Sequence, residues 1–394
     1  MPSKAIRYTM FGLLYFAQGA ILSYFTALNA LYLLSFDLTM SQVGIFSAIA
    51  LTPFVLKIFL GILSDRVNLL GLGHRKPYII VGLLIQAVCL FLVPFIHPGD
   101  QFGLLAFVAF VLMTGMALYD TCTDGLALDT TPPESEGTVQ GIMVSGRALG
   151  VVVVSAVLGL LAQLTTWAIA FWTLGVITLL PILLVVQVRE PKRAAERAFQ
   201  WGAFRAFGRR HVIALALLGA LYSLVINGAN EIVNPFLEDQ FGISLLAAGL
   251  YTAVWGLGVV LGGLTGGRLT DRMGHRKAAW GALVASLATI LALAFVAGPA
   301  MAWPLVFVFG LAFGYYETVY FATSMAFTEP RIAASMFAIL MAIANIGTGV
   351  GLAISGSLVD AIGYRWTFVC IALLNLLALP LIAPIFRHRR PADS

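Results

Sequence analysis

Gly61-Ile62-Leu63-Ser64-Asp65-Arg66, followed shortly by His74-Arg75-Lys76, returns 206 and 201 residues later as Gly267-Arg268-Leu269-Thr270-Asp271-Arg272 and His275-Arg276-Lys277. The two offsets differ by five because the first copy carries an insertion within Val67–Gly73. Two matches, in the same order and at equivalent places in each half, mark an internal duplication. Each copy lies between long apolar runs, so the pattern predicts two similar halves built of apolar helices.

Composition sets the environment of those helices. Of 394 residues, 60% are apolar and 10% charged, against about 25% charged in an ordinary soluble domain. The mean hydropathy is +0.95. A soluble enzyme, a disordered chain and a fibrous protein are excluded. Barrel strands alternate apolar and polar residues, whereas the runs here are unbroken. A crossing takes about 20 residues, and the polar breaks predict twelve spans, at 9–35, 42–63, 78–96, 102–128, 138–163, 166–188, 212–236, 244–266, 278–297, 302–327, 332–358 and 365–386. The expected organisation is a six-helix bundle over 1–188, a cytoplasmic linker over 189–211 and a second six-helix bundle over 212–394.

Charge placement predicts orientation. Twenty of the 23 Lys and Arg fall at the termini or in the loops joining even to odd spans, and the opposite loops hold only Arg365. By the positive-inside rule both termini are expected in the cytoplasm of a multi-pass protein of the cell inner membrane. The net charge of +5 is thereby read as topology, with the lipid bilayer as partner and no nucleic acid. The first apolar run is longer than the core of a cleaved leader and lacks a small-residue cleavage site. Cys89, Cys122 and Cys370 lie in apolar stretches with no metal or disulfide spacing; they read as small buried residues. No metal and no cofactor is expected. The sequence carries no phosphate-binding loop and no nucleophile motif, so the chain is not expected to be an enzyme.

A charge in mid-bilayer costs about 2.5–3.5 kcal/mol or more, so each intramembrane charge needs a role. Asp120 and Asp124 are one turn apart on the fourth span and share a face; Asp129 follows near its end. Two desolvated carboxylates this close resist ionising together, as a site that takes up and releases a proton requires. The structural alternative pairs them permanently with Arg147 and Lys57. Arg147, on the fifth span, stays charged and must face carboxylates, carbonyls or an anionic solute. Lys57 is read as a structural charge able to snorkel. The seventh span presents Asn227, Asn230, Glu231 and Asn234; the tenth presents Tyr316, Glu317, Tyr320 and Ser324; the first offers Tyr15 and Gln18. Asp120, Asp124, Glu231 and Glu317 are the candidates for binding a proton or cation. Gln18, Tyr15, Arg147, Asn227, Asn230, Asn234, Tyr316 and Tyr320 are the candidates for contacting substrate. Glycines crowd the eighth span (Gly258, Gly262, Gly263, Gly266, Gly267) and the eleventh (Gly347, Gly349, Gly351), as close helix packing requires.

In the duplicated loops, Gly61 and Gly267 let helices approach. Asp65 and Asp271 can accept from backbone N–H groups or pair with a neighbouring Arg. Arg66, Arg75 and Lys76, with Arg272, Arg276 and Lys277, are expected in the headgroup layer, either forming with the acids a cytoplasmic latch or only fixing topology. This doubled loop resembles the signature of the major facilitator superfamily. The resemblance implies two bundles around a central cavity lined by the first, fourth, seventh and tenth spans, working by alternating access. A narrower resemblance runs through Asp120-Thr121-Cys122-Thr123-Asp124-Gly125 into Pro133-Glu134-Ser135-Glu136-Gly137, with Pro53-Phe54-Val55-Leu56-Lys57 as a second cue. It is similar to the branch holding muropeptide permeases, acetyl-CoA transporters and folate–biopterin transporters. There an Ala follows the second Asp, where this chain has Gly125. That branch implies proton-driven movement of bulky polar or amphipathic solutes. The expectation is therefore a monomeric, proton-coupled symporter of a small molecule. The alternatives are an exporter or lipid flippase for amphipathic compounds, and a membrane assembly factor or pigment carrier on the same scaffold.

Overall fold

The computed structural model describes residues 4–188, 190 and 197–387. Most of the charged stretch in the predicted linker (189 and 191–196), and the terminal 388–394 with Arg389 and Arg390 of the charge count, lie outside the described residues. The first half runs α1 (Lys4–Ser23), a π turn (Tyr24–Leu28), α2 (Asn29–Leu34), α3 (Met40–Arg66), α4 (Lys76–Leu92), α5 (Phe102–Thr130), α6 (Glu136–Leu164), α7 (Trp167–Leu179) and α8 (Ile182–Val185). The second half runs α9 (Arg210–Glu231), α10 (Val233–Phe241), α11 (Leu245–Met273), α12 (His275–Ala294), α13 (Pro299–Phe327), α14 (Ala333–Leu374) and α15 (Leu379–Phe386). No strand occurs among the described residues.

Local chemistry sets the helix ends. Thr39 and Gln42 form a reciprocal capping box at the start of α3, and Ser244 caps α11, satisfying N–H groups that have no partner within a helix. Pro77 and Pro299 stand in the first turns of α4 and α13, where a missing N–H costs nothing. Among the described residues ten helical runs are long and apolar enough to cross a membrane. The first predicted span is split by the π turn. The last two predicted spans merge into α14, bent at Gly363, whose φ of 78° suits a residue without a Cβ.

The described chain divides into two compact units. The first takes Met1–Thr131, Gly146–Gln200 and Pro330–Ala338; the second takes Pro132–Ser145, Trp201–Glu329 and Ile339–Ser394. The opening turns of α6 and α14 are therefore each packed with the opposite set of helices from the rest of the same helix.

Small residues allow the closest approaches within each unit. In the first, Gly146 and Gly150 of α6 lie against the Gly12 and Phe16 carbonyls of α1. In the second, Gly258 and Gly262 of α11 lie against the Phe307 and Leu311 carbonyls of α13, and Gly267 against that of Gly137. The glycine stripe of the eleventh span is only partly of this kind. Gly347 and Gly351 abut the Ala220 and Leu224 carbonyls, but Gly349 meets nothing within 4 Å. A Cβ at Gly262 would overlap a backbone carbonyl, which cannot move without its helix. Gly262→Val should cost about 1–3 kcal/mol and lower the melting midpoint of the purified protein by several degrees, while Gly349→Ala should leave it within the error of the wild type.

Candidate functional site

The first unit holds a buried ionic cluster. Asp120 Oδ2 lies 3.0 Å from Lys57 Nζ of α3, and its Oδ1 accepts from Gln18 Nε2 of α1 at 2.9 Å. One turn further along α5, Asp124 Oδ1 accepts a hydrogen bond from the Tyr15 hydroxyl. Arg147, on α6, is near enough to act electrostatically on Tyr15, Lys57 and Asp124. Tyr15, Gln18, Lys57, Asp120 and Asp124 are all 5% exposed or less. Burying an ion costs several kcal/mol unless its partners are well placed, and here they are. The two carboxylates are unlike: Asp120 is paired with a cation, whereas Asp124 accepts from a phenol. Lys57 does not snorkel to the surface but turns inward onto Asp120, the pairing that the sequence offers as the structural alternative.

The second unit carries uncharged hydrogen-bonding groups. Asn227 Nδ2 donates to the Ser223 carbonyl at 2.9 Å and reaches the Ser223 and Thr348 hydroxyls at 3.2 and 3.3 Å. Asn234 donates to Thr252 Oγ1 at 2.9 Å. Asn230 and Asn234 line a cavity of about 50 Å³ with Tyr251, Thr252 and Trp255. Tyr316 and Tyr320 both pack against Tyr222, at 5.3 and 4.5 Å between ring centroids. The Tyr320 hydroxyl donates to the Leu340 carbonyl at 3.3 Å. Glu317 is buried and Glu231 exposed. The four carboxylate candidates are thus not gathered: Asp120 and Asp124 share one cluster, and Glu231 and Glu317 belong to the other unit.

The duplicated loops form two matching caps. Asp65, at the end of α3, accepts from Ala334 N at 3.3 Å, Ser335 N at 2.8 Å and Ser335 Oγ at 2.6 Å, and so closes the start of α14. Asp271, at the end of α11, accepts from Gly137 N at 2.8 Å, Thr138 N at 2.8 Å and Thr138 Oγ1 at 2.5 Å, and so closes the start of α6. Gly137 and Thr138 precede Ala334 and Ser335 by the same 197 residues that separate Tyr119-Asp120 from Tyr316-Glu317, so the caps are equivalent in the repeat.

The basic triplets are not equivalent. Arg75 was expected among the headgroups, but its side chain is fully buried. It meets Asp65 Oδ1 at 2.6 Å and Asp129 Oδ2 at 2.9 Å, and donates a hydrogen bond to Ser64 Oγ. Burial opposes its charge, yet Asp129 and Asp65 raise the guanidinium's pKa above its ordinary value. Arg276, its counterpart, is exposed. The reason is sequence: 197 residues after Asp129 stands Ala326, so the second copy lacks the carboxylate that draws the guanidinium inward. Gly125, the departure from the related branch, faces this guanidinium, and a Cβ there would lie 2.7 Å from Arg75 Nε.

One group escaped the sequence reading. The Glu190 carboxylate accepts from the backbone N–H of His74, Arg75 and Lys76 at 2.8, 3.1 and 3.1 Å, capping α4. In the sequence it is hidden within a basic run, where its neighbours dominate the charge count. Ser335 and Thr138 were missed too, although a hydroxyl three residues inside a helix that follows a Pro turn is a usable signal of capping.

A family model described as Major Facilitator Superfamily matches residues 10–337 and again 215–394. A putative transporter of Rickettsia conorii is 24% identical over 89% of this chain and 90% of its own length. The anhydromuropeptide permease of Escherichia coli K12 is 24% identical over 96% of this chain and 80% of its own. A probable folate-biopterin transporter of Arabidopsis thaliana is 26% identical over 35% of this chain and 32% of its own. Among solved structures, the Escherichia coli fucose:proton symporter superposes with a TM-score of 0.77, 17% identity and 98% coverage of both chains. The human organic anion transporter MFSD10 superposes with a TM-score of 0.74 and 15% identity, over 96% of this chain and 98% of its own. Matched along both halves and sharing one fold with such structures over nearly its whole length, the chain is a multi-pass membrane transporter, not an enzyme, and belongs to the major facilitator superfamily.

Proposed function

We propose that the chain is a monomeric, proton-coupled secondary transporter of the inner membrane. In this reading it crosses the membrane twelve times with both termini in the cytoplasm and moves a bulky polar or amphipathic solute by alternating access. The observation that carries it is the unlike pair on α5. Asp120 is held by Lys57 and Gln18. Asp124 is one turn away, with Tyr15 as its donor. In the proposal Asp124 exchanges the proton, and the Lys57–Asp120 pair keeps the cluster charged and oriented while it does so. Arg147 offsets the negative charge while Asp124 is ionised. Glu231 and Glu317 are secondary ion-binding candidates, and Gln18, Asn227, Asn230, Asn234, Tyr316 and Tyr320 orient the solute. The Asp65 and Asp271 caps act as the cytoplasmic latch, broken and remade in each cycle.

The relatives support a first choice of solute to try. One is an anhydromuropeptide permease, so an anhydromuropeptide is the first solute to try. Reconstituted in liposomes, the wild type should accumulate it faster when the outside is acidified. Asp124→Asn should abolish the gradient-driven component while leaving counterflow exchange in place. Full gradient-driven uptake by Asp120→Asn, Asp124→Asn, Glu231→Gln and Glu317→Gln alike would sink the coupling assignment. Inverted vesicles separate import from export.

The role of Lys57 separates from that of Asp124 by stability. Lys57→Met leaves Asp120 buried without its cation and should cost about 3–5 kcal/mol, read as a large fall in melting midpoint. Lys57→Met with Asp120→Leu should recover most of that fall without restoring transport.

Breaking a latch acts on the cycle. Asp271→Asn keeps the shape but halves the acceptors facing Gly137 and Thr138. The expected result is a lower maximal uptake rate with a melting change of about 1–3 kcal/mol, and the same direction for Asp65→Asn.

A further inference from the structure

The break between α9 and α10 walls a small pocket of the second unit. α9 ends at Glu231 and α10 begins at Val233, with Ile232 between them. Asn230 and Asn234, on either side of that break, line one cavity of about 50 Å³ with Thr252 and Trp255 of α11 and Val306 of α13. Contacts outside the cavity hold its walls. Tyr251, the neighbour of Thr252 in the wall, stacks on Trp303 at 3.8 Å and donates to the Pro299 carbonyl at 2.9 Å. Trp255 stands edge-on to Phe313, with 5.0 Å between ring centroids. Thr252 donates to the Ala248 carbonyl at 3.1 Å and accepts from Asn234. Three polar groups are left over. The Trp255 indole N–H is buried without an acceptor among the described residues. The Asn230 amide makes no hydrogen bond among them either. Asn234 uses its Nδ2 on Thr252, which leaves its carbonyl oxygen to accept. Asn227, in contrast, is already engaged by Ser223 and Thr348.

We propose that this pocket receives a neutral secondary amide of the solute, the acetamido group of an N-acetylated sugar. The inference rests on the transport reading above and names the chemical group that this part of the protein selects. A buried indole N–H normally has a partner, and a donor left unpaired carries its full desolvation cost. A carbonyl oxygen entering the pocket removes that cost. The N–H of the same amide then finds acceptors in the Asn230 and Asn234 side-chain carbonyls. No charged side chain lines the cavity among the described residues, so a carboxylate or ammonium group would be buried unpaired. Val233 and Val306 supply an apolar wall for a methyl group. Volume selects an end group. One water-sized group takes about 10–15 Å³ of such space, so the cavity of about 50 Å³ holds about four heavy atoms. An acetamido group has that number in its nitrogen, carbonyl carbon, oxygen and methyl carbon, whereas a peptide bond continues at both ends.

The test uses the full-length protein in detergent and reads affinity from the rise in melting midpoint on titration. N-acetylglucosamine should bind the wild type about tenfold more tightly than glucose, which has a hydroxyl in place of the acetamido group. N-butanoylglucosamine, whose longer acyl chain overfills the cavity, should bind no better than glucose. Trp255→Phe keeps an aromatic ring beside Phe313 and removes the N–H. It should weaken N-acetylglucosamine about tenfold, the usual worth of one neutral hydrogen bond, and leave glucose unchanged. Asn230→Leu should act in the same direction. Equal affinity of the wild type for N-acetylglucosamine and glucose overturns the proposal, as does a preference that survives both Trp255→Phe and Asn230→Leu. Equal affinity for N-butanoylglucosamine also overturns it, by assigning the site to an amide whose chain runs on, as in a peptide. Binding is read with no gradient and no flux, so the two readings separate. Selective binding without uptake of an anhydromuropeptide supports the pocket and overturns the transport reading, whereas gradient-driven uptake without that selectivity overturns the pocket alone.

Discussion

The first turn of any helix presents N–H groups that the helix itself cannot satisfy, and in this chain carboxylates from elsewhere in the sequence meet that demand. Asp65 does so for α14, Asp271 for α6 and Glu190 for α4. Each bond joins residues more than a hundred positions apart, so each brings distant helices to a defined register. The glycines follow from this constraint. Gly61 and Gly267 let the capped helices come close enough for the carboxylate to reach, with backbone atoms of Ser335 and Gly137 directly against them. A larger residue at either place would push the acceptor away from its donors.

The duplication starts both halves from one plan, and at the basic triplets Asp129 is a side chain that sets them apart. With Asp129 present, Arg75 has two carboxylates and a hydroxyl inside the first unit. Charge-assisted hydrogen bonds to that many acceptors offset the cost of burying the guanidinium. Gly125 gives it room. With Ala326 in the corresponding place, Arg276 has no such set and stays in water. The two capped loops share a geometry but not a charge balance. The first is a closed ionic network, whereas the second leaves its cations on the surface.

The same division of chemistry runs through the polar faces of the membrane helices. The first unit concentrates ionisable groups around Asp120 and Asp124. The second answers with amides and hydroxyls at Ser223, Asn227, Asn234 and Thr348, and Phe321 stands 197 residues after Asp124.

Composition and repeat spacing were enough to establish an all-helical membrane protein of duplicated halves, because apolar run length and local motif identity are one-dimensional properties of the chain. The one-turn spacing of Asp120 and Asp124 likewise placed them on one face without any coordinates. Partner choice was only partly legible. The sequence leaves Lys57 between snorkelling and pairing with an acid, and Arg75 reads as a headgroup contact, until Asp120 and Asp129 are brought beside them. Glu190 reads as one acid among many bases until α4 starts beneath it. Whether a charge faces lipid, water or a counter-ion depends on side chains tens to hundreds of residues away, and only the packing of the helices decides which of them arrive.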